Sequence, residues 1–181
     1  MRNCPICEAH YKDSSIYLNE NIDLQNVSSS SFASRKEPEF MCHELIKCKK
    51  CLVVYTSKLI DQEKLHDAYH NASYDSADEA NDAAKTYSKI LEPIIHKLKV
   101  KERVLDIGAG SGDLLQILNN FGFTNLNGVE PSLAAIKSAP NHRRSWIKLG
   151  LFNPNDFKEN HFDLICCFMT MEHVHNPADI A

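Results

Sequence analysis

Short apolar runs alternate with helical patterns through the second half of the chain. The runs cover residues 104–107, 126–130, 146–149 and 162–168, and each has the length and composition of a buried strand. Helices are indicated after the first two runs, the second of them opening at Pro131-Ser132. Strands that alternate with helices predict right-handed crossovers, an α/β fold with a parallel sheet, and a ligand site outside the carboxyl ends of the strands.

A longer helical pattern precedes the first of these strands. From residue 80 to residue 98 apolar side chains recur at i, i+3 and i+4, which predicts a helix with one core-facing side and a kink at Pro93. The residues expected on that side are Ala80, Ala83, Ala84, Tyr87, Ile90, Leu91, Ile94, Ile95 and Leu98. Further upstream the pattern predicts a strand at 52–55 and a helix at 61–69, and it favours packing roles for Tyr69, Tyr74 and Tyr87.

Composition and charge narrow the class of protein. The 181 residues are 43% hydrophobic and 24% charged, which is enough apolar material for one or two packed cores and too much for a disordered chain. A net charge of -4 argues against a protein that grips nucleic acid or an anionic membrane. No apolar run approaches the roughly 20 residues of a membrane span, and the N-terminus lacks a signal-peptide pattern, so we expect a cytoplasmic protein.

Two C-x-x-C knuckles stand near the N-terminus. Cys4 and Cys7 frame the first and Cys48 and Cys51 frame the second, which together supply the four thiolates of a closed tetrahedral zinc site. We therefore predict a structural Zn2+ ion that organises a zinc-ribbon-like segment at residues 1–60, followed by a second domain at residues 61–181. Redox-active cysteine pairs and unrelated cysteines are the alternatives.

The spacing of the knuckles departs from that of the simplest zinc ribbons. It is 40 residues here, against roughly 15 to 20 in those ribbons, and the serine-rich stretch 27–34 predicts the flexible loop that such an insertion needs. Cys42 and His43 are interpreted as ordinary neighbours of the second knuckle. Cys166 and Cys167 lie inside an apolar run and are interpreted as small buried hydrophobic residues.

A glycine-rich turn after residue 107 is the strongest chemical signal. Gly108, Gly110 and Gly112 stand at alternate positions before a helix, where glycine lets the backbone approach a ligand and the helix start offers N–H donors. The dinucleotide fingerprint G-x-G-x-x-G has its third glycine where this chain has Asp113. Asp106 at the strand end would repel a pyrophosphate but could accept from an ammonium, so the pattern favours a ligand that carries an amino acid.

Glu130 ends the second strand of the predicted sheet and is followed by Pro131. It comes 18 residues after Gly112, and an acid at this place can bind both hydroxyls of a ribose. The turn and the acid together predict a Rossmann-like sheet of about four strands.

These residues resemble the class I S-adenosylmethionine-dependent methyltransferases. Residues 105–112 are similar to motif I of that family, Glu130-Pro131-Ser132 to its acidic ribose position, and residues 162–177 to its fourth strand and the loop that follows. Within the family, the double C-x-x-C segment and the sequence Glu172-His173-Val174 resemble bacterial enzymes that methylate sugars, nucleotide sugars or related polysaccharide intermediates. The family's sheet has seven strands, and since this chain ends just past the fourth, we expect it to be part of a longer enzyme whose activity is a separate matter from that of the chain alone.

The resemblance implies roles for individual residues. S-adenosylmethionine would meet the backbone of Gly108, Ala109 and Gly110, with Asp106 near its methionine moiety and Glu130 on its ribose. Further contacts are expected from Pro131, from Leu151 or Phe152 beside the adenine, and from Met169 and Thr170 near the methionine end.

His173 is the candidate general base that would take a proton from a small-molecule acceptor, and a purely structural hydrogen bond to the backbone is its alternative. Glu172 is expected to be structural and His175 to be solvated. Two other functions stay open: an NAD-dependent oxidoreductase, which uses a similar turn and ribose acid, and a zinc-ribbon binding module on a non-catalytic nucleotide-binding fold, with Lys47, Lys49 and Lys50 as its contacts.

Overall fold

A computed structural model describes residues 1–23, 41–59, 67, 70, 71, 74 and 76–181. Within these residues the N-terminal segment forms an antiparallel sheet in the order β1-β2-β3, with strands at Ser14–Leu18, Leu45–Cys48 and Val54–Thr56. The third of them confirms the predicted strand near 52–55, shifted by about two residues. The expected helix at 61–69 and the expected loop at 27–34 lie outside the described residues, apart from Asp67.

A parallel sheet of four strands occupies the second half of the described chain, as predicted. Its order is β6-β5-β4-β7, with strands β4 Arg103–Ile107, β5 Asn125–Glu130, β6 Ile147–Leu149 and β7 Leu164–Cys167. Residue Leu105 at the middle of β4 pairs with Asn127 on one side and with Ile165 on the other. The chain passes from β4 to β5 to β6 and then returns to the other side of β4, and such a reversal of strand order opens a crevice at the carboxyl ends.

The described helices are α1 Ala77–Ile95, α2 Asp113–Asn120, α3 Leu133–Ser138 and α4 Asn141–Arg144. Single 3-10 turns occur at Tyr11–Asp13, Pro154–Asp156, Met171–His173 and Pro177–Asp179. The α1 helix starts three residues before its predicted beginning and continues for two residues past Pro93. Ser132 caps α3 by accepting a hydrogen bond from the backbone N–H of Ala135, which agrees with the predicted helix start. None of the described helices is long and apolar enough to cross a membrane.

Helix α1 packs against one face of the parallel sheet. Its residues Ala84, Leu91 and Ile95 are buried with Val104 and Leu115 in the larger core, and Tyr87 and Leu98 pack beside them as expected.

The prediction was wrong for two isoleucines of α1, because Ile90 is 59% exposed and Ile94 is 49% exposed. A helix turns by about 100° per residue, which places Ile90 about 100° and Ile94 about 60° to the same side of Leu91. Both side chains therefore lie at or beyond the border of the buried stripe.

The opposite face of the sheet carries a second, smaller core. Leu105, Ile107 and Val129 are buried there, under partly buried aromatic side chains from the segment between β6 and β7, namely Phe152, Phe157 and Phe162. The alternation of β4 thus sends Leu105 and Ile107 to one face and Val104 and Asp106 to the other. Asp106 is buried, although a carboxyl group in water is ionised at neutral pH.

Candidate functional site

The glycine-rich turn joins β4 to α2 at the carboxyl edge of the parallel sheet. Gly108, Gly110 and Gly112 all have positive φ, at 79°, 54° and 73°, and the backbone N–H of Gly108 donates to the carbonyl of Val129 at 2.9 Å. A Cβ atom on Gly108 would come within 2.1 Å of the Thr170 Oγ1 atom. Only glycine fits this position, because both its backbone conformation and its neighbour exclude a side chain.

Glu130 binds the backbone of the two segments that follow β4 and β5. Its Oε2 accepts from the N–H of Gly110 at 2.8 Å and its Oε1 accepts from the N–H of Ser132 at 2.7 Å. Burial raises the pKa of Glu130 above its ordinary value, although the N–H groups of Ser132 and Gly110 oppose the shift. Each carboxylate oxygen retains a second lone pair, so the side chain can hold the turn in place and still accept from two hydroxyl groups.

Asp106 is the second-last residue of β4. It lies two residues before Gly108 and is 4% exposed. Burial, and then the negative charge of Glu130, raises the pKa of Asp106 to about 7. A buried carboxyl that is costly to ionise is suited to a cationic ligand group, because the cation would offset the cost of its charge. The role of Asp106 toward an ammonium group stays a prediction.

A hydrogen-bonded chain that the sequence did not reveal links the turn to two other segments. The Oη of Tyr74 lies 3.1 Å from the Oγ of Ser111, whose own proton goes to the Oδ2 of Asp113. The Oδ1 of Asp113 accepts from the Nη1 of Arg143 on α4. Tyr74, expected only as a packing residue, therefore binds the glycine-rich turn, and Asp113 fixes the start of α2 to α4.

The end of β7 brings further predicted residues to the crevice. The Thr170 hydroxyl donates to the carbonyls of Phe168 at 2.9 Å and Ile107 at 3.2 Å, which ties this loop to the end of β4. Met169 has a φ of 50° and is 72% exposed. Asp106, Gly108, Gly110, Glu130 and Thr170 are thus brought to one edge of the sheet.

The predicted adenine-flanking residues follow β6. Leu151 is 42% exposed, while the ring of Phe152 stacks on that of Phe157 with centroids 5.9 Å apart and packs on the smaller core. Their role toward an adenine stays a prediction.

The two histidines of the loop after β7 differ in their surroundings. His173 ends the single turn Met171–His173, its side chain is 53% exposed, and its Nε2 lies 4.0 Å from Glu172 Oε1. The expectation that His175 is solvated was wrong, because its Nε2 is buried and no residue that the structure describes offers it a hydrogen bond.

The four knuckle cysteines meet at one point. Their sulfur atoms all lie within 4.8 Å of one another, with Cys4 and Cys51 at 3.5 Å and Cys7 and Cys48 at 3.7 Å. A tetrahedral Zn2+ ion with sulfur ligands requires separations of about 3.8 Å, so the donor set fits the metal. No disulfide joins any of the seven cysteines, all of which the structure describes.

The two knuckles share one backbone pattern. The N–H of Glu8 donates to the carbonyl of Cys4, and the N–H of Leu52 donates to that of Cys48, each at 3.0 Å. Glu8 and Leu52 both have positive φ, at 58° and 67°. Backbone N–H groups, first that of Cys51, lower the pKa of Cys48 to about 6, which favours the thiolate that a metal binds.

The remaining cysteines lie outside this cluster. Cys42 is a free thiol that is not among the grouped sulfurs. The interpretation of Cys166 as a buried hydrophobic residue is confirmed, because it is 2% exposed within the larger core and burial raises the pKa of its thiol.

The comparison with known proteins bears on the second half of the chain. Residues 77–181 match a family model described as a methyltransferase domain, and they make up more than half of the 181 residues. No curated protein matches the chain. The matched residues include β4, β5, the glycine-rich turn, Asp106 and Glu130. The knuckle segment precedes them. The chain therefore belongs to the methyltransferase domain family and is an S-adenosylmethionine-dependent methyltransferase with a small-molecule acceptor.

Proposed function

We propose that S-adenosylmethionine binds across the carboxyl ends of β4 and β5. The observation that carries this proposal is the position of the two buried carboxyl groups on either side of the glycine-rich turn, with Glu130 bonded to Gly110 N–H. Asp106 would accept from the ammonium of the methionine moiety and Glu130 from the two ribose hydroxyls. The backbone of Gly108, Ala109 and Gly110 would line the cofactor between them.

The flanking contacts in this proposal come from the segments after β5, β6 and β7. Pro131 continues the ribose contact, Leu151 and Phe152 flank the adenine, and Met169 lies near the methionine end. The exposed side chains of Leu151 and Met169 support these assignments, because an apolar ligand surface would shield them from water.

The reaction needs orientation and one proton transfer. When bound, the cofactor supplies an electrophilic methyl group on a sulfonium, which an acceptor nucleophile attacks in line. The chain's residues hold the cofactor rigidly in the crevice and exclude water from it. We assign the acceptor's proton to His173, whose exposed ring stands on the loop after β7 and carries a nitrogen atom that can accept a proton.

The cysteine cluster is proposed to hold a structural Zn2+ ion. The sulfur separations and the absence of a disulfide support this assignment, and four protein ligands leave no open position for chemistry at the metal. Residues 1–60 would then be a domain organised by the ion, since few buried side chains surround it. Residues 61–181 would form the Rossmann-like methyltransferase domain.

A sugar or a nucleotide sugar is proposed as the acceptor. The support is the combination of the double knuckle with Glu172-His173-Val174 after β7, which resembles bacterial enzymes of that kind. The test incubates zinc-loaded protein with S-adenosylmethionine carrying a tritiated methyl group and with separate panels of nucleotide sugars, free sugars, amino acids and short oligonucleotides. Labelled product from the nucleotide-sugar or sugar panels is expected. Label that enters only the amino acids or the oligonucleotides would contradict the assignment.

A further inference from the structure

Arg2 is held within the knuckle segment by one backbone hydrogen bond and one side-chain contact. Its backbone N–H donates to the carbonyl of Ser57 at 3.0 Å, directly after strand β3. Its guanidinium carbon lies 5.8 Å from the centroid of the Tyr55 ring, and Tyr55 is 7% exposed. Since Cys4 follows two residues later, Arg2 extends from the same backbone that carries the first knuckle.

The guanidinium of Arg2 crosses from this segment to the methyltransferase domain. Its Nη2 donates to the carbonyl oxygen of His175 at 2.8 Å, joining positions 173 residues apart. The donor of this bond is the charged guanidinium, which ordinarily prefers water, and the bond is partly buried. Charge-assisted bonds in such surroundings are stronger than neutral ones.

The loop that receives this bond is the segment after β7. It consists of two single turns, Met171–His173 and Pro177–Asp179, and the side chains of Met171, Glu172 and His173 are exposed. Single turns carry little stability of their own, so contacts from elsewhere in the molecule have a large share in fixing the loop. The carbonyl that Arg2 binds belongs to a residue two positions from the proposed general base.

We propose that Arg2 is a positioning residue through which the knuckle segment holds the loop after β7 in place. The inference rests on the proposed Zn2+ site and on the proposed role of His173. Metal binding orders the knuckle backbone, that backbone holds Arg2, and Arg2 holds the His175 carbonyl. The knuckle segment thereby sets the part of this loop around His173, on the acceptor side of the active site. The cofactor side comprises β4, β5, the glycine-rich turn and Met169, and its part of the loop has an anchor of its own, because the Thr170 hydroxyl donates to the Ile107 carbonyl at 3.2 Å.

The experiment is hydrogen–deuterium exchange followed by mass spectrometry on the full chain. The wild type is compared with Arg2→Met, which keeps an apolar stem over Tyr55 and loses the donor, and with Arg2→Lys, which keeps a cationic donor. Lys12→Met is the matched control, because Lys12 is an exposed cation of the same segment. Zinc content and the affinity for S-adenosylhomocysteine are measured on each sample.

In the Arg2→Met protein we expect peptides from residues 169–181 to exchange about fivefold faster or more, with zinc content unchanged and the S-adenosylhomocysteine Kd within about twofold of the wild type. Arg2→Lys should recover much of the protection, Lys12→Met should match the wild type, and removal of zinc from the wild type by a chelator should reproduce the Arg2→Met pattern.

Unchanged exchange at 169–181 in Arg2→Met with zinc still bound would overturn the inference, as would equal effects of Arg2→Met and Lys12→Met. Unchanged exchange after chelation would also overturn it. If Arg2→Met itself loses zinc, the comparison of Arg2→Lys with Arg2→Met decides: slower loop exchange in Arg2→Lys supports the tether, and equal exchange in the two variants refutes it. A wild type that binds no zinc would instead contradict the proposed metal site.

Discussion

Replacing Asp106 by asparagine tests whether burial raises the pKa of this carboxyl and so makes the stability of the protein depend on pH. The pKa of Asp106 rises from 3.8 to about 7 on folding, so the folded protein keeps a proton that the unfolded chain has already released. The stability that this group contributes is therefore complete below about pH 4 and is lost as the pH rises toward 7. Each pH unit well inside this window costs about 1.4 kcal/mol, and because the folded carboxyl is about half ionised near pH 7, the total between pH 5 and pH 7 is about 2 kcal/mol.

Asp106→Asn has nearly the same shape and does not ionise. We expect its free energy of unfolding, relative to that of the wild type, to increase by about 2 kcal/mol from pH 5 to pH 7. The assay is urea denaturation of zinc-loaded protein at pH 5, 6 and 7, followed by circular dichroism and analysed by linear extrapolation. Ionisable groups that do not interact with Asp106 affect both proteins alike and cancel in the difference.

Asp163→Asn is the matched control for Asp106→Asn. Backbone N–H groups of Arg103 and Glu102 lower the pKa of Asp163, so its contribution to stability is lost only as the pH falls below the ordinary range for a carboxyl. Its difference from the wild type should therefore stay constant between pH 5 and pH 7. A flat difference for Asp106→Asn as well would refute the reasoning, since it would mean that the buried carboxyl is ionised throughout.

Two further pairs of substitutions test the glycine-rich turn and the cysteine cluster. Gly108→Ala and Gly122→Ala both place a side chain at positive φ, which costs about 1–2 kcal/mol, but only Gly108→Ala drives a Cβ atom onto Thr170. Urea denaturation should show Gly108→Ala to be the less stable variant by at least about 1 kcal/mol, and equal losses would count against the described packing. Metal analysis should find about one zinc ion per wild-type chain. Cys48→Ser should lose this ion, whereas Cys42→Ser should keep it; retention by Cys48→Ser would rule out the four-cysteine site.

The parallel sheet and its turn could be predicted because their signals are local. A buried strand in a parallel sheet is a short apolar run, and glycines at 108, 110 and 112 mark a turn wherever they occur. The antiparallel strands β1 and β2 gave no such signal. Four of the five residues of Ser14–Leu18 are exposed, and β2 ends in the second knuckle at Cys48, so pairing between distant segments decides their structure.

Contacts over long sequence distances account for the rest of what was missed. The bonds of Tyr74 to Ser111, of Arg143 to Asp113 and of Arg2 to His175 each join segments whose approach depends on the complete fold.

Calorimetric titration of the zinc-loaded chain with S-adenosylhomocysteine tests whether the ends of β4 and β5 form a cofactor site. Saturable binding at one site is expected of the wild type and of Glu159→Gln, a control at an exposed carboxyl. Glu130→Gln loses charge-assisted bonds worth about 1.5–3 kcal/mol, so its Kd should rise by about tenfold to a hundredfold. Equal affinity in Glu130→Gln and the wild type, or no saturable binding by folded wild-type protein, would contradict the account.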